Sequence, residues 1–156
     1  MKNLVGVNYI ERLPVVKTEK TPLFLLIHGY GSNEEDLFSF AQDLPQNAHI
    51  VSVRALHDIM YGGYAWYDIN FVNNEKWMDE DQAVSSRNKL VEFIDQIVAQ
   101  ENLDEKQVTL MGFSQGAILS YAIALNNPTK IKNVAILSGY PEQKIIGDFD
   151  QTQDFS

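Results

Sequence analysis

With 45% apolar and 11% aromatic side chains, a chain of 156 residues can bury a core of its own, which argues against disorder. Its formal net charge of −9 works against nucleic acid and acidic membranes as partners, because both present negative charge. The absence of cysteine rules out disulfides, a thiol nucleophile and thiolate metal sites.

In chain order, the first eleven residues carry one lysine and an apolar stretch too short for a signal peptide core. No apolar run approaches the roughly 18 residues of a membrane span. A cytoplasmic protein without stable membrane insertion is expected, built as one domain over residues 1–156. Leu4–Ile10 reads as a first strand, closed before Pro14. Leu23–Ile27 is an unbroken apolar run of the kind that parallel sheets cover on both faces, and it ends at His28-Gly29. Ser32-Asn33-Glu34-Glu35 has capping-box spacing and predicts a helix reaching about Leu44, stopped by Pro45. His49–Val53 is the next strand, and Arg54–Trp77 is an aromatic, glycine-containing segment without clear periodicity.

The strongest helix signal covers Asp81–Glu101, whose apolar stripe is Val84, Leu90, Val91, Ile94, Ile97 and Val98. Val108–Phe113 predicts a strand, Gln115–Leu125 a short helix, and Ile131–Leu137 a last strand. After Pro141 the chain turns polar, with only Ile145, Ile146, Phe149 and Phe155 scattered through it, and no further element is expected. Such alternation implies an α/β fold with a mostly parallel sheet and helices on both faces. Ligands of such sheets sit at the carboxyl ends of the strands.

Gly112-Phe113-Ser114-Gln115-Gly116 lies at one such end and matches G-x-S-x-G. Average composition yields only about 0.05 chance matches in a chain of this size. Val108–Met111 supplies the strand before it and Ala117-Ile118-Leu119 the helix after it, which is the setting the motif needs. A serine on that sharp turn projects its hydroxyl above the sheet, and the helix starting beneath it aims amides at developing negative charge. Ser114 is therefore the candidate nucleophile.

An acyl-transfer site needs a second backbone donor opposite the serine, and His28-Gly29-Tyr30-Gly31 follows a strand where such a turn belongs. The expected oxyanion donors are the amides of Tyr30 and Gln115. Gly29-x-Gly31 also resembles half of a dinucleotide fingerprint. Against that, the third glycine position holds Glu34, and Glu34, Glu35 and Asp36 would face the pyrophosphate. A tight turn without a chemical role is the plain alternative.

The blocks Leu25–Leu37, Gly63–Asp68, Gly112–Ala117 and Leu137–Tyr140 together resemble the phospholipase/carboxylesterase family of α/β-hydrolases, which includes acyl-protein thioesterase-like enzymes. The resemblance covers about residues 1–141, in order and at family-like spacing. It implies hydrolysis of small carboxylic esters or acyl thioesters with no metal or organic cofactor. It also implies that Trp66 and Tyr67 lie beside the site, where they could shape a substrate pocket; core packing is the alternative for both.

A serine hydroxyl needs a general base, normally a histidine oriented by a carboxylate. In this fold class the acid and the histidine follow the serine along the chain. No histidine follows His57, and Glu142, Asp148, Asp150 and Asp154 lack the strand-then-Gly-x-x-Asp setting that the family uses. His28 belongs to the turn, His49 opens a strand at the far end, and His57 is the one stand-in near a carboxyl end. The expectation is a hydrolase sheet whose C-terminal strands are missing, truncated before the triad Asp and His, with Ile131–Leu137 as an unpaired edge. The alternative is a catalytically inactive hydrolase-fold module that binds an acyl compound or a protein. The sequence carries no signature of an oligomeric state.

Overall fold

The computed structural model describes residues 1–72 and 75–152; Asp154 and Phe155, both named above, lie outside the described residues. In chain order the first elements are β1 (Lys2–Leu4), β2 (Val7–Arg12), β3 (Leu23–Ile27), α1 (Glu35–Phe38), β4 (His49–Val53), β5 (His57–Asp58), β6 (Tyr64–Ala65), β7 (Ile69–Val72) and β8 (Glu75–Met78). They are followed by α2 (Glu80–Gln100), β9 (Val108–Phe113), α3 (Gln115–Asn126), β10 (Ile131–Leu137) and α4 (Gln143–Ile146). Six strands form the central sheet in the order β1-β2-β4-β3-β9-β10. The pairs β4/β3, β3/β9 and β9/β10 are parallel, while β1/β2 and β2/β4 are antiparallel. The sheet is thus mostly parallel, with an antiparallel hairpin at one edge and β10 at the other.

β3 is apolar throughout and β4 is buried throughout because both of their faces are covered. Leu23, Leu25 and Ile27 of β3 join Val51, Val53, Val108 and Leu110 in the main core. Onto that face α2 packs Leu90, Phe93, Ile94 and Ile97, and α3 packs Leu119, Ala122 and Ile123. Burying side chains of this size contributes roughly 1.5–3 kcal/mol each. The alternate residues Leu26 and Ile50 point the other way and meet Leu37, Ala41 and Ala48 in a smaller core around α1. Asp79 caps α2 by accepting the Gln82 N–H at 2.9 Å, and Glu80 and Asp81 sit in its first turn, where carboxylates favour the helix dipole. Among the described residues no helix is long and apolar enough to cross a membrane.

Four expectations change. The first strand is a hairpin, β1 and β2, turned by Val5 (φ 45°) and Gly6 (φ 84°), with Leu4 facing Val7. Two successive positive φ values are the pattern of a tight hairpin turn, which a valine disguises in the sequence. The helix expected to reach Leu44 is the single turn α1, because the capping box does not form. Asn33 Oδ1 accepts the Glu35 N–H at 2.8 Å, and the Ser32 hydroxyl donates to Asp36 at 2.8 Å. The aperiodic stretch after Arg54 folds into two small antiparallel hairpins, β5/β6 and β7/β8.

The tail holds the fourth change. Ile145 and Ile146, adjacent on α4, are buried in the main core. Arg87 on α2 donates to both of their carbonyls, at 2.6 and 3.2 Å, and Asn126 on α3 donates to Ile146 O at 2.9 Å. This turn packs against α2 and α3 and leaves β10 an edge strand, with Val134 and Leu137 exposed.

Candidate active site

Ser114 sits between the end of β9 and the start of α3 with φ 50° and ψ −113°. A non-glycine residue at positive φ carries strain of about 1–3 kcal/mol, which the surroundings must hold in place. The Ser114 N–H donates to Leu137 O at 2.9 Å, tying the turn to the end of β10. A Cβ on Gly116 would land on the carbonyls of Ile27 and His28, and one on Gly112 would land on Gly116 O. Strand, turn and helix therefore approach with no room for a side chain.

The second turn lies directly opposite. Ile27 pairs with Gly112, so β3 and β9 end at the same level. Two residues further on, Gly29 faces Ser114 closely enough that an added Cβ would stand 3.2 Å from Ser114 Cβ. Past these points the amides of Tyr30 and Gln115 have no hydrogen-bond partner among the described residues. The register thus brings together the serine and the two amides expected from the sequence. Tyr30's ring is exposed and Ser114 is half-buried.

Trp66 and Tyr67, named with the pocket and with core packing as the alternative, are buried in the main core. The Trp66 indole N–H donates to His28 O at 2.9 Å, and the Ser86 hydroxyl donates to Trp66 O. Gln115 reaches the same segment with its side chain: Oε1 accepts the Trp66 N–H at 2.8 Å and Nε2 donates to Tyr67 O at 2.6 Å. The elbow is therefore sewn to the chain at 66–67 as if by one more rung of sheet. Burial, with Tyr140 and Glu142 close by, pushes the Tyr67 phenol above its usual range.

His28 is buried and holds both ring nitrogens on backbone groups. Nε2 accepts the Ala55 N–H at 3.0 Å, and Nδ1 lies 2.7 Å from Gly29 O. That pattern requires the neutral ring with its proton on Nδ1, and burial lowers its pKa accordingly. His49 lies at the opposite end of the sheet, 3.0 Å from Glu11 Oε2. His57 lies on β5, beyond the carboxyl end of β4. Among the described residues no group of three or more His, Asp or Glu side chains is arranged to hold a metal ion.

One further cluster escaped the sequence reading. Glu34 is buried and bonded twice by Arg54, Nε to Oε2 at 2.7 Å and Nη2 to Oε1 at 2.6 Å. Arg54 lies over the Tyr64 ring, 4.4 Å from its centre. Tyr64 in turn accepts the Gly31 N–H and donates to Ser32 O, both at 2.9 Å. The Arg54 bonds hold the Glu34 carboxyl below its usual range. The partners are 20 residues apart, and no motif links Glu34 to Arg54, so no local signal could have paired them.

The sequence profile of the phospholipase/carboxylesterase family matches residues 11–150. Acyl-protein thioesterase 1 homolog 1 of Dictyostelium discoideum is 26% identical over 150 residues, covering 90% of this chain and 65% of that protein. The MhqD protein of Bacillus subtilis is 25% identical over 114 residues, which is 73% of this chain and 55% of that one. The chain thus spans less than two thirds of the length of these curated relatives. Among solved structures, esterase PE8 superposes with a TM-score of 0.73 at 25% identity, over 86% of this chain and 64% of that chain.

Proposed function

Because the chain belongs to the phospholipase/carboxylesterase family and has the α/β-hydrolase fold, we propose that it cleaves small carboxylic esters or acyl thioesters through an acyl-enzyme on Ser114. The observation that carries the reading is Ser114 at φ 50° beside the amides of Tyr30 and Gln115, which have no partner among the described residues. In this reaction Ser114 Oγ bonds to the acyl carbon while its proton passes to a base. The carbonyl oxygen takes the negative charge and is held by the two N–H groups and the start of α3. Collapse of that intermediate expels the alcohol or thiol, which receives the proton, and water then releases the acid by the same route. The thioesterase relative and the esterase structure support both leaving-group classes.

Neither His28 nor His49 can act as the base. His28 has both nitrogens committed to backbone, and His49 stands at the far end of the sheet against Glu11. The remaining histidine, His57, lies on β5 past the carboxyl end of β4. The test is hydrolysis of p-nitrophenyl butyrate and labelling by a fluorophosphonate in the full-length protein. Ser114→Ala is expected to remove both, with a fall in kcat of about 10⁴-fold or more. Activity retained in Ser114→Ala would overturn the assignment. Hydrolysis and labelling both absent from the wild type would favour a binding module on a hydrolase fold.

A further inference from the structure

We propose that Arg54 and Glu34 are positioning residues, which set the place of the Tyr30 amide through the two sides of its turn; this rests on the hydrolase reading above. Tyr30 cannot anchor itself, because its ring is 43% exposed and its N–H has no partner among the described residues. Its position is imposed by what flanks it. On one side Glu34, four residues on, is gripped by the Arg54 fork, and its backbone carbonyl accepts the Ser52 hydroxyl at 2.7 Å. On the other side the same guanidinium lies on Tyr64, whose backbone forms an isolated bridge to Ser32 and accepts the Gly31 N–H. One side chain, leaving the end of β4, thus touches both supports of the turn.

Energetics favour a geometric role over a stabilising one. The Glu34 side chain is 3% exposed, and a buried ion pair returns little net stability compared with apolar side chains of similar volume. A bidentate fork fixes distance and angle together, which a lysine or an apolar contact cannot do. Placement matters to the chemistry because an oxyanion donor acts only when it stands where the charge develops.

The test compares wild type, Arg54→Lys, Arg54→Ala and Glu34→Gln in the full-length protein. The substrate is p-nitrophenyl butyrate, and the probe is phenylboronic acid, which binds a reactive serine as a tetrahedral adduct. Each variant is assayed below its own unfolding transition. In all three, kcat is expected to fall about 10- to 100-fold with KM changed less than about threefold, and boronate affinity to fall in parallel. Added guanidinium is expected to restore part of the activity of Arg54→Ala but not of Glu34→Gln. Glu34→Gln keeps the side chain's shape and carries the test should the Arg54 variants fail to fold.

Unchanged kcat, or a loss of kcat without loss of boronate affinity, overturns the proposal while Ser114-dependent hydrolysis in the wild type leaves the hydrolase reading standing. A wild type without Ser114-dependent hydrolysis overturns both.

Discussion

The two turns that face each other at the carboxyl edge are held by different means. The elbow at Ser114 is shaped from within, because a strand, one strained residue and a helix follow each other without a gap and Gly112 and Gly116 let their backbones touch; Leu137, Trp66 and Tyr67 add ties from outside. The turn at Tyr30 is stiffened from outside by His28 on Ala55, the Trp66 indole on His28, Tyr64 on Gly31 and Arg54 on Glu34. The comparison teaches that equal demands on geometry do not need equal means. A local device needs a few residues in fixed order, whereas a distributed one needs partners from other segments, here residues 54–55 and 64–66.

Gly116→Ala should break the elbow outright. The new Cβ would land on the Ile27 and His28 carbonyls, and backbone there can yield only by parting β3 from β9. A loss of about 4 kcal/mol or more is expected, read from the urea midpoint, or no folded protein at all. A loss below about 1 kcal/mol would show that the elbow is softer than the turn.

Trp66→Phe tests the turn more gently, because it keeps an aromatic ring in the core but leaves the buried His28 carbonyl without its donor. The expected cost is about 2–3 kcal/mol. Amide exchange should quicken at Gly31 and Ser32, whose N–H groups are bonded, and stay slow at Ser114. Equal change at both turns would erase the distinction drawn between them.

The smallest effect is a slope with pH. Burial depresses the His28 pKa, so the neutral ring stabilises the fold fully above the unfolded value of about 6.5. That contribution is lost as pH falls towards and through the folded value. Stability should therefore decline on acidification below about pH 6.5, and His28→Gln should flatten this part of the profile. The elbow, residues 112–116, holds no titratable side chain and contributes nothing to that slope. The Glu34–Arg54 pair acts lower. Glu34's depressed carboxyl stabilises fully above its ordinary value of about 4.5 and loses that contribution below it. A profile unchanged by His28→Gln would show that the ring is not held neutral.

Much of this architecture is legible in one dimension. The spans Leu23–Ile27, His49–Val53, Val108–Phe113 and Ile131–Leu137 are strands over just those residues, and α2 differs from its expected span by one residue at each end. Long apolar periodicity in α2 and two-faced burial of β3 and β4 leave little freedom there. Local competition is harder to read. Asn33, not Ser32, takes the Glu35 N–H, and α1 is one turn. The hairpins after Arg54 depend on partners elsewhere, such as Ser32 across from Tyr64. The tail looked polar because two adjacent isoleucines make no period, yet the cleft beside α2 and α3 buries both.

By itself, the order of residues determined a mostly parallel α/β sheet and a serine on a tight strand-to-helix turn beside a glycine-rich one. These are local properties, set by periodicity within a strand or helix and by the few residues that can make a given turn. Only the tertiary structure decided that Trp66 and Tyr67 enter the core, that His28 becomes a neutral clasp, and that Arg54 finds Glu34. Such assignments depend on which donors and acceptors are left together when water is excluded. No segment of the chain knows its partners in that competition until the sheet has brought them side by side.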